Sequence, residues 1–152
     1  AVNLMTIRRG VCLLSLLCLI GAAGCATMVW TQRFEVVAAP DANRRSPVPV
    51  DLALVRTEAL APVVTEMSAR QWFENREQLV RDHPEDIVYH SWEFVPGQVV
   101  EFDRLPFPDR KGYALVVFSD YLSEGVHRLR VDPLKEFRLV LRVEGFEIES
   151  IR

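Results

Sequence analysis

The stretch Tyr113–Tyr121 constrains this chain more than any other. In an extended segment Leu115 and Val117 fall on one face, and Ala114, Val116 and Phe118 on the other. A strand apolar on both faces must be covered on both, which makes it a central, buried strand rather than an edge. The partners it needs are readable on either side of it. Gln32–Ala39 alternates, with Phe34, Val36 and Ala38 on one face and Arg33 and Glu35 on the other. Val48–Val55 puts Val48, Val50, Leu52 and Leu54 on one side and Asp51 opposite, and Pro49 suits an edge or the first residues of a strand. Phe137, Leu139, Leu141 and Val143 alternate with Arg138 and Arg142. Shorter runs follow Ile87, Val99, Gly125 and Phe146, separated by Pro96-Gly97, Leu105–Asp109, Asp132-Pro133 and Gly145. About eight short strands at regular turn spacing predict a mainly β chain, a two-sheet β-sandwich of Greek-key type.

The period changes once. Leu60, Val63, Val64 and Met67 are spaced i, i+3, i+4, i+7, and Pro62 confines that helix to a short one. A second helix is predicted from Ser68, with Gln71 three residues on completing a capping box, Trp72, Phe73, Leu79 and Val80 as its apolar stripe, and His83-Pro84 as its stop. The sandwich therefore carries one helical insertion after its second strand.

The N-terminal region is of another kind. Arg8 and Arg9 precede an apolar run, Val11–Ile20, and then the small residues Gly21–Gly24 and Cys25. A basic segment, a short apolar segment and a small-residue cut site make an export signal. The run is short of the roughly 20 residues a membrane-spanning helix needs. Ala22-Ala23-Gly24-Cys25 resembles the lipobox of bacterial lipoproteins, in which the thiol is acylated, the peptide is cut before it, and the new N-terminus gains a further acyl chain. Cys18 fits less well, because Leu16 and Leu17 precede it. One acyl chain binds a membrane marginally, and more than one anchors. Ala26 after the Cys, where Asp is absent, implies by the same resemblance the outer membrane and its periplasmic face. The expected organisation is an artefactual start before Met5 plus a signal peptide over 1–24, an acylated Cys25 and tether over 25–30, and the sandwich domain over 31–152.

All three cysteines, Cys12, Cys18 and Cys25, lie in the signal or at the anchor, so the predicted domain has no disulfide and no thiolate metal site. The chain has 18 Lys and Arg against 21 Asp and Glu, and two of those cations are in the signal. An interspersed, mildly acidic surface excludes nucleic acid as a partner class and gives no polybasic attraction to anionic lipid. No enzyme constellation emerges. His83, His90 and His127 have no zinc-site spacing, no G-x-S-x-G elbow or phosphate loop occurs, and no small-molecule substrate or cofactor is implied beyond covalent lipid on Cys25. Glu101 and Asp103 share a strand face, an arrangement more often solvated than catalytic. Trp72, Trp92 and the tyrosines have core spacing, although sugar stacking uses the same residue types. What remains is surface, above all the loop Pro40–Pro47 with Asp41, Asn43, Arg44 and Arg45. It is either a solvated connection or a recognition loop held by a rigid scaffold.

The run Ala38–Val50, a strand ending in small residues, an Asn in the loop, then Ser-Pro-Val and an alternating strand, resembles the type VI secretion outer-membrane lipoprotein family, TssJ. The similarity continues through the helical insertion with Ala69 and Phe73, through Phe94-Val95-Pro96-Gly97-Gln98 and through Tyr113–Tyr121, and His127-Arg128 stands near the family's Trp-Arg strand. The resemblance implies a transthyretin-like sandwich and a non-catalytic, acylated scaffold that binds the periplasmic domain of the inner-membrane protein TssM. It further implies that the loop between the first two strands makes much of that contact, which selects Asp41, Asn43, Arg44 and Arg45 as partner-binding residues. Two rivals fit parts of the same pattern. One is a pilotin lipoprotein of a type III secretion system that escorts a secretin, using an apolar groove beside Trp72 and Phe73. The other is a periplasmic carbohydrate-binding or enzymatic module built on Trp92, Tyr113 and the strand acids.

Overall fold

A computed structural model describes residues 27–151. The signal segment, Cys25 and the acylation expected there lie outside the described residues. Eight strands form two four-stranded sheets: β1 (Arg33–Ala38), β2 (Val48–Val55), β3 (Ile87–Phe94), β4 (Val99–Phe102), β5 (Ala114–Ser119), β6 (Arg128–Arg130), β7 (Glu136–Leu141) and β8 (Phe146–Ser150). One sheet has the order β4-β1-β7-β8 and the other β3-β2-β5-β6. Every pairing is antiparallel except β1 with β7, where Phe34 lies beside Phe137 and Val36 beside Leu139.

The two sheets face each other across one core. Phe34, Val36 and Ala38 of β1, and Phe137, Leu139 and Leu141 of β7, meet Val48, Val50, Leu52 and Leu54 of β2 and Leu115 and Val117 of β5. These are the inward residues that the period-two alternation selects. Between β3 and β4 the seam is filled by aromatic rings: Phe34 stacks on Phe102 at 4.4 Å, and Trp92 lies 5.0 Å from Phe102. Trp92 is thus part of the seam and not a free stacking platform.

The molecule has a third layer, which a two-sheet sandwich leaves out. Helices α1 (Ala61–Glu66) and α2 (Ala69–Asp82) lie between β2 and β3 in the chain and cover the outer face of the second sheet. There Ala53 and Val55 of β2 and Ala114, Val116 and Phe118 of β5 pack against Val64, Ala69 and Trp72. This is why β5 is apolar on both faces: it belongs to two cores. The helix signals act as the sequence implies. The Ser68 backbone N–H donates to Gln71 Oε1 at 2.8 Å, the Gln71 N–H donates to Ser68 Oγ at 3.2 Å, and His83 closes α2. Trp72 is fully buried, stacked on Phe118 at 4.8 Å and edge-on to Tyr89. Burying such a side chain contributes roughly 1.5–3 kcal/mol.

Within this second core sits one charge. Asp51, 1% exposed, points from β2 toward the helices. Its Oδ2 accepts from Trp72 Nε1 at 2.8 Å and from the Arg76 guanidinium, and its Oδ1 accepts from Ser91 Oγ at 2.6 Å. The carboxylate ties α2 to two strands at once, and each of its oxygens is occupied.

Two boundaries differ from expectation. The strand expected over Gly125–Val131 is only Arg128–Arg130, because Gly125 and His127 both have positive φ, at 159° and 43°, which turns the chain out of the ladder. A Cβ at Gly125 would stand 2.7 Å from the His127 ring. The segment expected as a tether is docked from Thr27 on: Gly112 N–H donates to Thr27 O at 2.9 Å, Val29 N–H to Arg110 O at 3.0 Å and Trp30 N–H to Asp132 O at 3.0 Å. Val29 is buried, and Thr31 Oγ1 meets the carbonyls of Val131 and Leu134.

Replacing Asp51 by Ala leaves the Arg76 charge and the Trp72 N–H without their partner. Unfolding free energy is expected to fall by about 3–5 kcal/mol, the usual cost of breaking a buried pair from one side. Urea denaturation reads it; a loss under about 1 kcal/mol would mean that apolar packing alone seats the helices.

Candidate protein-binding end

β1 and β7 run in one direction, and β2 and β5 are antiparallel to each other. All strand connections therefore collect at two ends. One end holds the docked segment 27–32 and the loop after β4. The other, called apical here, holds the loops 39–47, 95–98, 120–127 and 142–145 together with the start of α2, where Ala69 N–H donates to Val126 O at 2.8 Å.

The loop between β1 and β2 is a single helical turn, Ala42–Arg45, of the wrong hand. Asn43, Arg44 and Arg45 have φ of 48°, 55° and 67°. For L-residues this conformation costs roughly 1–2 kcal/mol each, less for Asn than for Arg. Asn43 is what holds it. Its Oδ1 accepts from Leu122 N–H at 2.8 Å, its Nδ2 donates to Pro47 O at 2.8 Å, and its own backbone N–H donates to Arg142 O at 2.9 Å. The side chain thus closes its own loop and ties it to the loop 120–127, and the backbone N–H ties it to the loop 142–145. Bonds of this kind contribute about 1 kcal/mol each, so together they offset much of the strain.

Asn43 therefore does not do what the sequence reading assigned to it. It is 3% exposed, and both polar atoms of its amide are taken by the protein itself. The correction has a simple cause: only Asn combines tolerance of left-handed φ with an acceptor and a donor short enough to reach both loops. The other three residues named with it do stand at the surface. Asp41, Arg44 and Arg45 are exposed. Arg44 Nη2 lies 2.9 Å from Glu144 Oε1, an exposed pair worth at most about 1 kcal/mol and readily exchanged.

The apical end also carries exposed apolar side chains: Leu122 is 64% exposed, and Val126, Val95 and Val143 are exposed as well. Val143 and Val126 were expected in strands, but β7 ends at Leu141 and β6 starts at Arg128, which leaves both in loops. Leu122 carries no alternation; its signal is an isolated large apolar residue in an otherwise polar turn. Behind them the loop 120–127 is stiffened from within. His127 Nε2 lies 3.1 Å from Ser123 O, its ring packs 4.9 Å from Tyr121, and Ser123 Oγ donates to Glu144 O at 2.8 Å. Burial pushes the Tyr121 phenol well above its ordinary range, so the ring stays neutral. His127 is thus a support beneath a loop, not a strand residue and not a metal ligand.

Elsewhere, Glu101 and Asp103 stand exposed beside a row of ion pairs. Glu101 pairs in register with Glu35 across β4 and β1, while Glu35 is taken by Arg138 and Arg33 by Glu136 at 2.8 Å. Among the described residues no group of His, Cys, Asp and Glu has the disposition of a metal site, and no helix is long and apolar enough to cross a membrane.

No family model and no curated protein matches the sequence. Solved structures do. The chain is similar to the type VI secretion lipoprotein TssJ1 of Pseudomonas aeruginosa, with a TM-score of 0.57 and 15% identity over 80% of this chain and 97% of that one. It is similar to Serratia marcescens Lip, a membrane-bound component of the type VI secretion system, with a TM-score of 0.52 and 14% identity over 78% and 97%. It also matches a structure of the C-terminal domain of the type VI secretion protein TssM from EAEC, with a TM-score of 0.55 and 12% identity over 79% and 98%. The β-sandwich expected from strand count and turn spacing is the fold these type VI secretion lipoproteins have.

Asn43→Ala keeps the loop's surface charges and removes its fastening. It is expected to destabilise the domain by about 1–3 kcal/mol, the cost of buried groups left unpaired. Amide hydrogen exchange at Leu122 is expected to accelerate with it; unchanged protection of that amide would show that the loops are held by something else.

Proposed function

We propose that this chain is an outer-membrane-anchored periplasmic scaffold lipoprotein of a type VI secretion system. Acyl chains on Cys25 hold it, and its apical loops bind the periplasmic domain of TssM. It does no catalysis. Fold likeness to secretion lipoproteins supports this reading. The observation that carries the site is the left-handed turn Asn43–Arg45, strained, fastened from behind by Asn43 and presenting two cations outward. Backbone strain kept in place by dedicated bonds is characteristic of recognition loops.

The division of labour within the loop follows from burial. Asn43 sets the shape. Arg44, Arg45 and Asp41 supply charges that reach a partner, and Glu144 occupies Arg44 in the free protein. Leu122, Val126 and Val143 add exposed apolar side chains at the same end as those charges, and protein interfaces combine the two kinds. A partner carboxylate that displaces Glu144 from Arg44 would be recognised by charge, with apolar contact adding to it. The tryptophans on which the sugar and secretin readings were built are occupied within the fold: Trp92 fills the seam of the sandwich, and Trp72 projects from α2 into the second core.

Reversing both cations, Arg44→Glu with Arg45→Glu, is expected to weaken binding of the TssM periplasmic domain roughly tenfold or more, about 1.4 kcal/mol. The thermal midpoint should stay where it is, since both side chains are exposed. Unchanged affinity would remove the loop from the interface. Recovery of a secretin in place of TssM, when the acylated protein is drawn from membranes, would favour the pilotin reading.

A further inference from the structure

We infer that the end of the domain opposite the apical loops lies directly on the membrane surface, with the Trp30 and Met28 side chains in the lipid headgroup layer. The inference rests on Cys25 being acylated, as proposed above, and goes beyond it by fixing how the domain stands.

Covalent reach comes first. Two residue steps separate Cys25 from Thr27, a span of at most about 7 Å. Thr27 is not the start of a swinging linker. Its carbonyl accepts from Gly112 N–H, Met28 forms a bridge with Lys111, and Val29 and Trp30 donate to Arg110 O and Asp132 O. The partner it docks on is itself fixed, because Gly112 packs so closely on β2 that a Cβ there would stand 2.7 Å from Leu54 Cδ1 and 2.8 Å from Val55 O. Val29 and Thr31 point inward and are buried, so the segment is clamped along its length. An anchor at residue 25 therefore pulls this end of the body to the bilayer, not a flexible leash.

The side chains that face outward suit that location. Met28 is 50% exposed and Trp30 68%. Tryptophan is the residue that concentrates at the membrane–water interface, where its apolar ring and its N–H are both satisfied. Arg104 and Lys111 are exposed at the same end, and Arg110 Nη1 donates to Trp30 O at 3.3 Å. Asp103 and Asp109 stand among them, with Asp109 held by Arg56 at 2.8 Å and its carboxyl kept below the usual range by that bond. Cations outnumber acids among these groups, so the charge of anionic headgroups assists the contact that insertion of the two apolar side chains makes. β1 then rises six residues, about 20 Å, from this end to the apical loops, which are turned away from the membrane.

The test uses the acylated protein, extracted from membranes and reconstituted into vesicles of phosphatidylethanolamine and phosphatidylglycerol carrying a doxyl quencher near the headgroup. Trp72 is buried in the fold and Trp92 sits in the seam, so Trp30→Phe isolates the third indole without touching the core. The expected result is at least twofold stronger quenching in the wild-type protein than in Trp30→Phe, and protection of Trp30 from aqueous iodide. Equal quenching in both, with intact mass confirming acyl chains on Cys25, would overturn the inference and leave the anchor standing. An intact mass with an unmodified Cys25 would remove the anchor, and the membrane contact with it.

Discussion

The side chains of Ala114–Ser119 go alternately into two separate cores, and the rest of the molecule is arranged to keep both of them dry. Leu115 and Val117 are covered by the opposing sheet; Ala114, Val116 and Phe118 need something else, and α1 and α2 supply it. β2 is subject to the same demand and meets it differently, because Asp51 lies on its helix-facing side. A carboxylate there is tolerable only when saturated with donors, and Trp72, Arg76 and Ser91 saturate it. The helical layer is thereby fixed in position as well as held by area. Its fixed position is what brings the start of α2 against Val126 at the apical end.

The two ends of the sandwich are built on opposite principles. At one end a segment is clamped flat by backbone hydrogen bonds and a buried Val29, with little freedom left. At the other, four loops project, and one of them is held in an unfavourable hand by an amide that bonds its own Pro47 carbonyl and the Leu122 N–H of a neighbouring loop. Backbone bonding at one end and side-chain bonding at the other have different consequences for change. The first tolerates many side chains, whereas the second depends on a single Asn. The charges placed on the projecting loop, Arg44 and Arg45, are free of that structural duty.

Much of the architecture was legible in the residues. The eight strands, the helical insertion and the capping box at Ser68 and Gln71 all follow from periodicity and local hydrogen-bond chemistry, which act over a few residues. The loop with Asp41, Asn43, Arg44 and Arg45 was legible as a surface candidate from its composition. The roles inside it were not. Nothing local separates an Asn that faces a partner from one that reaches Leu122, far along the chain. Leu122 was invisible because a lone apolar residue in a turn carries no period, and the alternation through Val143 runs past the point where the ladder ends at Leu141. The third layer was half visible, since two-faced apolarity demands a second cover without saying what provides it.

The sequence by itself determined which segments are strands and helices, which faces are apolar and where the turns fall. These depend on backbone preference and side-chain period, which are properties of short stretches. Only the tertiary structure decided that β1 runs parallel to β7, that the helices and not a third sheet cover β5, that Asn43 is a buried fastening while Arg44 and Arg45 are exposed, and that Thr27–Trp30 lie clamped at the end opposite the loops. Each of those depends on groups brought together from distant parts of the chain, and the cost of leaving a buried donor, acceptor or apolar face uncovered is settled only once they meet.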